Sequence, residues 1–124
     1  MTMKTKNQEL LEKFNEAFAR NDTDFVINHV TDSIKWSVVG DFKVEGKEAF
    51  TKALKKMKGD EPLELEIDKV ITHGKDASVN GIMKSKNGVQ YAFCDVYTFS
   101  GFKNPKIREM TSYVIEVKSE NSSS

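Results

Sequence analysis

Apolar residues recur at helical spacing near the start of the chain. Leu10, Leu11, Phe14, Ala17 and Phe18 share one side, with Glu9, Glu12, Lys13 and Glu16 opposite. The pattern predicts an amphipathic helix over about residues 5 to 20. Asp22 can N-cap a shorter helix carrying Phe25, Val26 and Val30, because its carboxylate accepts from amides that have no intrahelical partner. From Ile34 the period changes to two: Ile34, Trp36 and Val38 alternate with Lys35 and Ser37, a strand with one buried face that ends at Gly40. Past Gly46 the helical period returns, with Ala49, Phe50, Ala53, Leu54 and Met57 on one side and lysines 52, 55, 56 and 58 mostly on the other.

Gly59 to Pro62 break that helix, and strand patterns follow to the end. Leu63, Leu65 and Ile67 alternate with acids in a run reaching His73. Gly74 to Asp76 turn into Ala77–Met83, and Asn87-Gly88 has the positive-φ chemistry of a tight hairpin. Two long strands, from Val89 to about Phe99 and from Ile107 to Val117, flank an irregular Ser100–Lys106 connection. Three helices interrupted by one short strand, then four strands, predict an α+β domain with helices gathered on one face of a mostly antiparallel sheet. Such a curved sheet encloses a hollow that can hold a ligand. Residues 1–118 read as one domain and 119–124, rich in serine, as a disordered tail.

Composition narrows the function. The 124 residues allow one core, and 19 basic against 19 acidic residues leave no net charge, so nucleic acid and acidic membrane surfaces are not expected partners. The single cysteine, Cys94, excludes an internal disulfide. Residues 1–9 lack the apolar stretch of a signal peptide and no segment is long and apolar enough for a bilayer span, so a soluble, cytoplasmic protein is expected. Glycine-rich phosphate loops, paired-cysteine metal spacings and nucleophile elbows are all missing, and His29 and His73 lie far apart, so neither a metal nor a cofactor is expected.

The unusual segment runs from Tyr91 to Phe99. Alternation puts Tyr91, Phe93, Asp95, Tyr97 and Phe99 on one face and Ala92, Cys94, Val96 and Thr98 on the other, so an acid sits inside an aromatic row. Facing the helices, that carboxyl would be desolvated and its pKa raised into the range useful for proton transfer. Facing outward, it would be an ordinary solvated acid. Alternation alone leaves both open, because the opposite row is also weakly polar.

The Ala19-Arg20-Asn21-Asp22 helix end, the Ile34-Lys35-Trp36 strand, the Glu45-Gly46-Lys47-Glu48-Ala49-Phe50 helix start, and Cys94-Asp95-Val96-Tyr97-Thr98-Phe99 followed by Lys106-Ile107-Arg108-Glu109-Met110 together resemble a SnoaL-like member of the nuclear transport factor 2-like superfamily. The likeness spans about residues 8 to 117 and implies a cone, a bent sheet wrapped around three helices with a pocket inside. Ketosteroid isomerases and polyketide cyclases of that superfamily carry a catalytic aspartate on the strand that Cys94-Asp95-Val96 matches, which implies that Asp95 points inward as the proton-transfer group. The isomerases also use a first-helix tyrosine, where this chain has Phe14, and a first-strand base, where it has Trp36 or Ser37. Neither Trp36 nor Ser37 abstracts a proton at neutral pH, so steroid isomerisation by the usual residues is not expected.

The same alignment implies that Phe14, Trp36, Phe93 and Tyr97 supply rings to a ligand-binding wall that Met110, Ser112 and Val114 complete, with Tyr91 nearer one end. Phe18, Phe50 and Leu54 would also point inward, though they are expected mainly to fill core. Trp36 and Tyr97 each carry a polar atom that needs a partner, which makes them, with Asp95, the minimal site. The outer row of Ala92, Val96, Thr98, Thr111, Tyr113 and Ile115 is too apolar for free solvation and predicts a homodimer through that face, with Cys94 directed toward it. The expected function is acid-base chemistry of isomerase, cyclase or hydrolase type on a small apolar carbonyl or polycyclic compound. A non-catalytic binder of a hydrophobic ligand and a dimeric association module are the alternatives.

Overall fold

Thr5 opens the first helix with a reciprocal cap: its hydroxyl accepts from the Gln8 amide at 3.1 Å while the Gln8 side chain accepts from the Thr5 amide at 2.9 Å. Helix α1 (Lys6–Ala19) buries Leu11, Phe14 and Ala17, and α2 (Thr23–Asn28) begins where Asp22 accepts from the Phe25 amide at 3.2 Å. This computed structural model describes residues 4–59 and 61–118; the tail expected to be disordered lies outside them. The remaining elements are β1 (Val30–Val38), β2 (Phe42–Glu45), α3 (Lys47–Met57), β3 (Glu64–His73), β4 (Asp76–Lys84), β5 (Gln90–Phe99) and β6 (Ile107–Val117).

Two boundaries differ from the expectation. Val30 belongs to β1 and not to the second helix: it pairs with Ile107, and the amide of Ile107 donates to the His29 carbonyl at 2.9 Å. A β-branched residue next to a long partner strand gains more from the ladder than from one further helical turn. The second difference is β2, absent from the expected element order. Gly40, at φ +83°, turns β1 back on itself, and Phe42 and Val44 then alternate with Lys43 and Glu45 against Val38 to Lys35. Four residues are too few for a periodic signal, and the pairing with β1 supplies what the local pattern lacks.

The six strands form one sheet in the order β2-β1-β6-β5-β4-β3, antiparallel throughout except for the parallel β1–β6 pair. Its inner face carries Trp36, Val79, Phe93, Tyr97 and Met110, which join Leu11, Phe14, Phe50 and Leu54 of the helices in one buried core. Bulges bend the strands around these helices. In β3 the register shifts between Ile67 and Lys69, and Asn80 holds the irregularity by accepting from the Lys69 amide at 3.2 Å and donating to Asp68 at 3.3 Å. Gly81 is required there. A Cβ at this position would stand 2.2 Å from the Glu66 carbonyl oxygen, a backbone atom that cannot swing away. Gly81→Ala is therefore expected to destabilise the fold by about 2–4 kcal/mol, read as a lower midpoint in urea.

Candidate active site

Alternation along β5 and its pairing with β4 and β6 decide which way the aromatic row points. Phe93, Tyr97 and Phe99 are buried on the inner face, while Val96 on the opposite face is 44% exposed. Asp95 therefore projects inward, opposite Ser112 of β6 and Val79 of β4. Its carboxylate opens onto a cavity of about 430 Å³ between the sheet and the helices. Phe14, Trp36, Phe93, Met110 and Val114 line that space, together with Ser112.

The hydrogen bonds around Asp95 have a direction that donor chemistry imposes. Asn15 of α1 is 2% exposed, and its amide nitrogen donates both to the Leu11 carbonyl at 2.8 Å and to the Tyr97 hydroxyl at 3.0 Å. The bond to a carbonyl fixes the amide orientation, because only the NH₂ end can donate. The Tyr97 hydroxyl, accepting from Asn15, sends its own proton to Asp95 Oδ2 at 3.1 Å. On the other side the indole of Trp36, which can only donate, bonds to Ser112 Oγ at 3.0 Å. Ser112 faces Asp95 across the β5–β6 ladder, and its hydroxyl favours the Asp95 charge. Two relays, Asn15 to Tyr97 and Trp36 to Ser112, thus converge on one carboxyl, and no buried side-chain polar atom among the described residues lacks a partner.

Burial raises the Asp95 pKa from 3.8 to about 6, and the hydrogen bonds from Ser112 and Tyr97 only partly oppose it. The same burial, with the Asp95 charge beside it, holds Tyr97 well above the usual tyrosine value, so Tyr97 stays a donor at all ordinary pH. The site is one carboxyl poised near neutrality, with its proton donors behind it and an apolar hollow in front.

The structure distributes the expected residues unevenly around the cavity. Tyr97 is not part of the cavity wall: it is fully buried behind Asp95, its ring set edge-on to Phe14 at 6.1 Å and its hydroxyl taken up by Asn15 and Asp95. Phe50 fills core as expected, packed on Trp36 at 5.2 Å, whereas Phe18 and Leu54, expected in the same role, also reach the cavity. Asn15 was absent from the expected site, although its place one residue after Phe14 and four after Leu11 put a polar side chain on the apolar stripe of α1. Tyr91 also lines the cavity, and the polar residues Asp22, Lys58, Glu61 and Ser85, more exposed than Phe14, Trp36 and Phe93, make its rim. His29 stacks on Phe25 at 4.1 Å with Nδ1 2.7 Å from the Phe25 carbonyl, a helix-end contact remote from the wall.

No helix among the described residues is long and apolar enough to cross a membrane. No curated protein matches the chain. Solved structures do. A nuclear transport factor 2-like protein of unknown function from Cytophaga hutchinsonii is 28% identical over 87% of this chain and 98% of its own, with a TM-score of 0.62. A protein described as a SnoaL-like polyketide cyclase from Shewanella denitrificans superposes with a TM-score of 0.75 at 11% identity, covering 90% of this chain and 92% of its own. An LEH-like epoxide hydrolase from M. tuberculosis gives 0.69 at 20% identity, over 86% and 80%. These likenesses agree on the bent sheet around three helices that the strand order and bulges build here. Since the SnoaL-like domain also matches residues 11–110, the chain belongs to that family, within the nuclear transport factor 2-like superfamily.

Proposed function

We propose that this protein moves a proton on a small apolar carbonyl or polycyclic compound, with Asp95 as the group that carries it. The observation behind this reading is a carboxyl without a basic partner at the wall of an apolar hollow, held by the Tyr97 hydroxyl and ionising at about 6. At neutral pH it is mostly a carboxylate and can take a proton from carbon or oxygen; once protonated it can return it. Burial in an apolar wall keeps water from competing for that proton. Among the described residues, the other titratable groups of the lining are Asp22, Lys58, Glu61 and Tyr91, none of them fully buried. One group that both removes and restores a proton suits an isomerisation or ring closure without net proton exchange. A cavity of about 430 Å³ has room for roughly fourteen water-sized groups, the size of a body with one to three rings. Two structural neighbours bear the names polyketide cyclase and epoxide hydrolase, which supports pocket chemistry without selecting between them.

The test starts from rigid apolar ketones screened by thermal shift, followed by comparison of the wild type with Asp95→Asn. Binding retained with turnover lost supports the reading; turnover retained by the variant overturns it.

The pairing through the outer sheet face is part of the proposal. Tyr113 is 48% exposed and Ile115 69%, beside Val96, on a face that the helices leave uncovered. A second copy placed there would bury these side chains. Ile115→Glu is expected to shift the protein to monomer in sedimentation while leaving the cavity intact; an unchanged association state would reject this face.

A further inference from the structure

Asp95 is a part-buried, desolvated carboxyl with no cation beside it. The groups that favour its charge are two neutral hydroxyls, Ser112 and Tyr97. No ion pair among the described residues includes it. Its inner-face neighbour on β4 is the apolar Val79, and the relays behind it end in the neutral Asn15 and Trp36. Among the described residues, the one cation of the lining, Lys58, sits at the exposed C-cap of α3. Two more carboxylates stand at the rim, Asp22 and Glu61, each turned toward an outer base: Arg20 at 3.8 Å and Lys86 at 3.5 Å. Among the described residues of the lining, Asp95 is thus the one carboxylate without a basic partner, set near walls of Phe14, Trp36, Tyr91 and Phe93.

That arrangement fits a positive nitrogen on an apolar body. An ionised carboxylate accepts at about four lone-pair sites, and the Tyr97 hydroxyl takes one, leaving room for an ammonium to donate. The electron-rich faces of aromatic rings attract a cation while their area receives hydrocarbon. An anionic ligand would meet the uncompensated Asp95 charge and gain nothing from the wall. We propose that the cavity selects a small apolar amine, bound as a monocation with its nitrogen at Asp95 and its hydrocarbon body among the rings of Phe14, Trp36 and Phe93. This rests on the cavity being a ligand site, as the proton-transfer reading does, but it does not require turnover.

Four rigid probes of nearly equal shape test it: 1-aminoadamantane, 1-adamantanol, 2-adamantanone and adamantane-1-carboxylate, titrated calorimetrically at pH 5 and pH 7.5. The amine is expected to bind at least tenfold tighter than the alcohol at pH 7.5. Its lead should shrink at pH 5, where Asp95 takes up its proton, and the carboxylate should not bind. In Asp95→Asn the amine should fall to the affinity of the alcohol. Saturating amine should also move the Asp95 carboxyl titration, followed by NMR, to lower pH, because coupling between proton and ligand is reciprocal. Equal binding of alcohol and amine, an unchanged lead in Asp95→Asn, or no binding by any probe would overturn the proposal. Ketone binding that depends on Asp95, without amine binding, would sink this inference and leave the proton-transfer reading standing. Amine binding that depends on Asp95, with no enolisable ketone from the thermal-shift screen turned over, would do the reverse.

Discussion

Asp95→Asn is expected to make the protein more stable above pH 6 while removing its proton chemistry. The sign follows from linkage. The Asp95 pKa is raised from 3.8 to about 6 on folding, so the folded state holds this proton more tightly than the unfolded chain. The contribution to stability is fully present below 3.8 and is lost as pH rises through about 6. Above that, the native state carries an ionised, desolvated carboxylate at a penalty of up to about 3 kcal/mol. Asparagine keeps the shape, still accepts from Tyr97, and never ionises. The variant should therefore gain on the wild type as pH increases, by about 2 kcal/mol between pH 4.5 and pH 8. At this chain length that is a rise in Tm of roughly 5–10 °C. Thermal melts of both proteins across that range check it; parallel curves would mean that Asp95 is not desolvated. A residue kept at a cost to stability is the trade-off expected of a working site, where function and not folding accounts for the side chain.

Tyr97→Phe should produce the opposite pH signature. The hydroxyl is the link between Asn15 and Asp95, so its removal takes a donor from Oδ2 and leaves an Asn15 proton without its acceptor. Burying an unsatisfied donor costs about 1–3 kcal/mol at any pH. Losing a hydrogen bond to the charged form pushes the Asp95 pKa above 6, because Tyr97 is one of the two groups holding it down. The penalty of ionisation then grows, and the variant should lose more stability at pH 8 than at pH 5. Carboxyl titration by NMR reads the shift directly, and an Asp95 titration unchanged from the wild type would show that the Tyr97 proton is not directed at it. Asn15 acts through this link, so Asn15→Leu should raise the Asp95 pKa in the same direction by a smaller amount, as the Tyr97 hydroxyl loses the donor that fixes its orientation.

Much of this molecule is legible along the chain because its elements are amphipathic. The helical stripe of Leu11, Phe14 and Phe18, the alternation from Ile34 to Val38 and the run from Tyr91 to Phe99 each state their own period, and the observed elements follow them. Where local pattern is weak, the expectation departs from the fold. Phe42–Glu45 is too short to announce itself and becomes a strand only because β1 is there to pair with it. Val30 fits either period and is settled by Ile107, a residue far along the chain. Asn15 carried a legible signal, a polar residue on an apolar stripe, but its role depends on Tyr97, 82 positions away.

The order and character of the elements, the odd acid in an aromatic row and the zero net charge were determined by the sequence alone, since periodicity and composition are local properties. Which face of β5 is buried, that Tyr97 stands behind Asp95 and not in the cavity wall, and that two donor relays meet at one carboxyl were decided only by the tertiary structure. The reason is physical: alternation states that two faces differ, but hydrogen-bond direction and desolvation depend on which distant groups the sheet brings within 3 Å or so of each other.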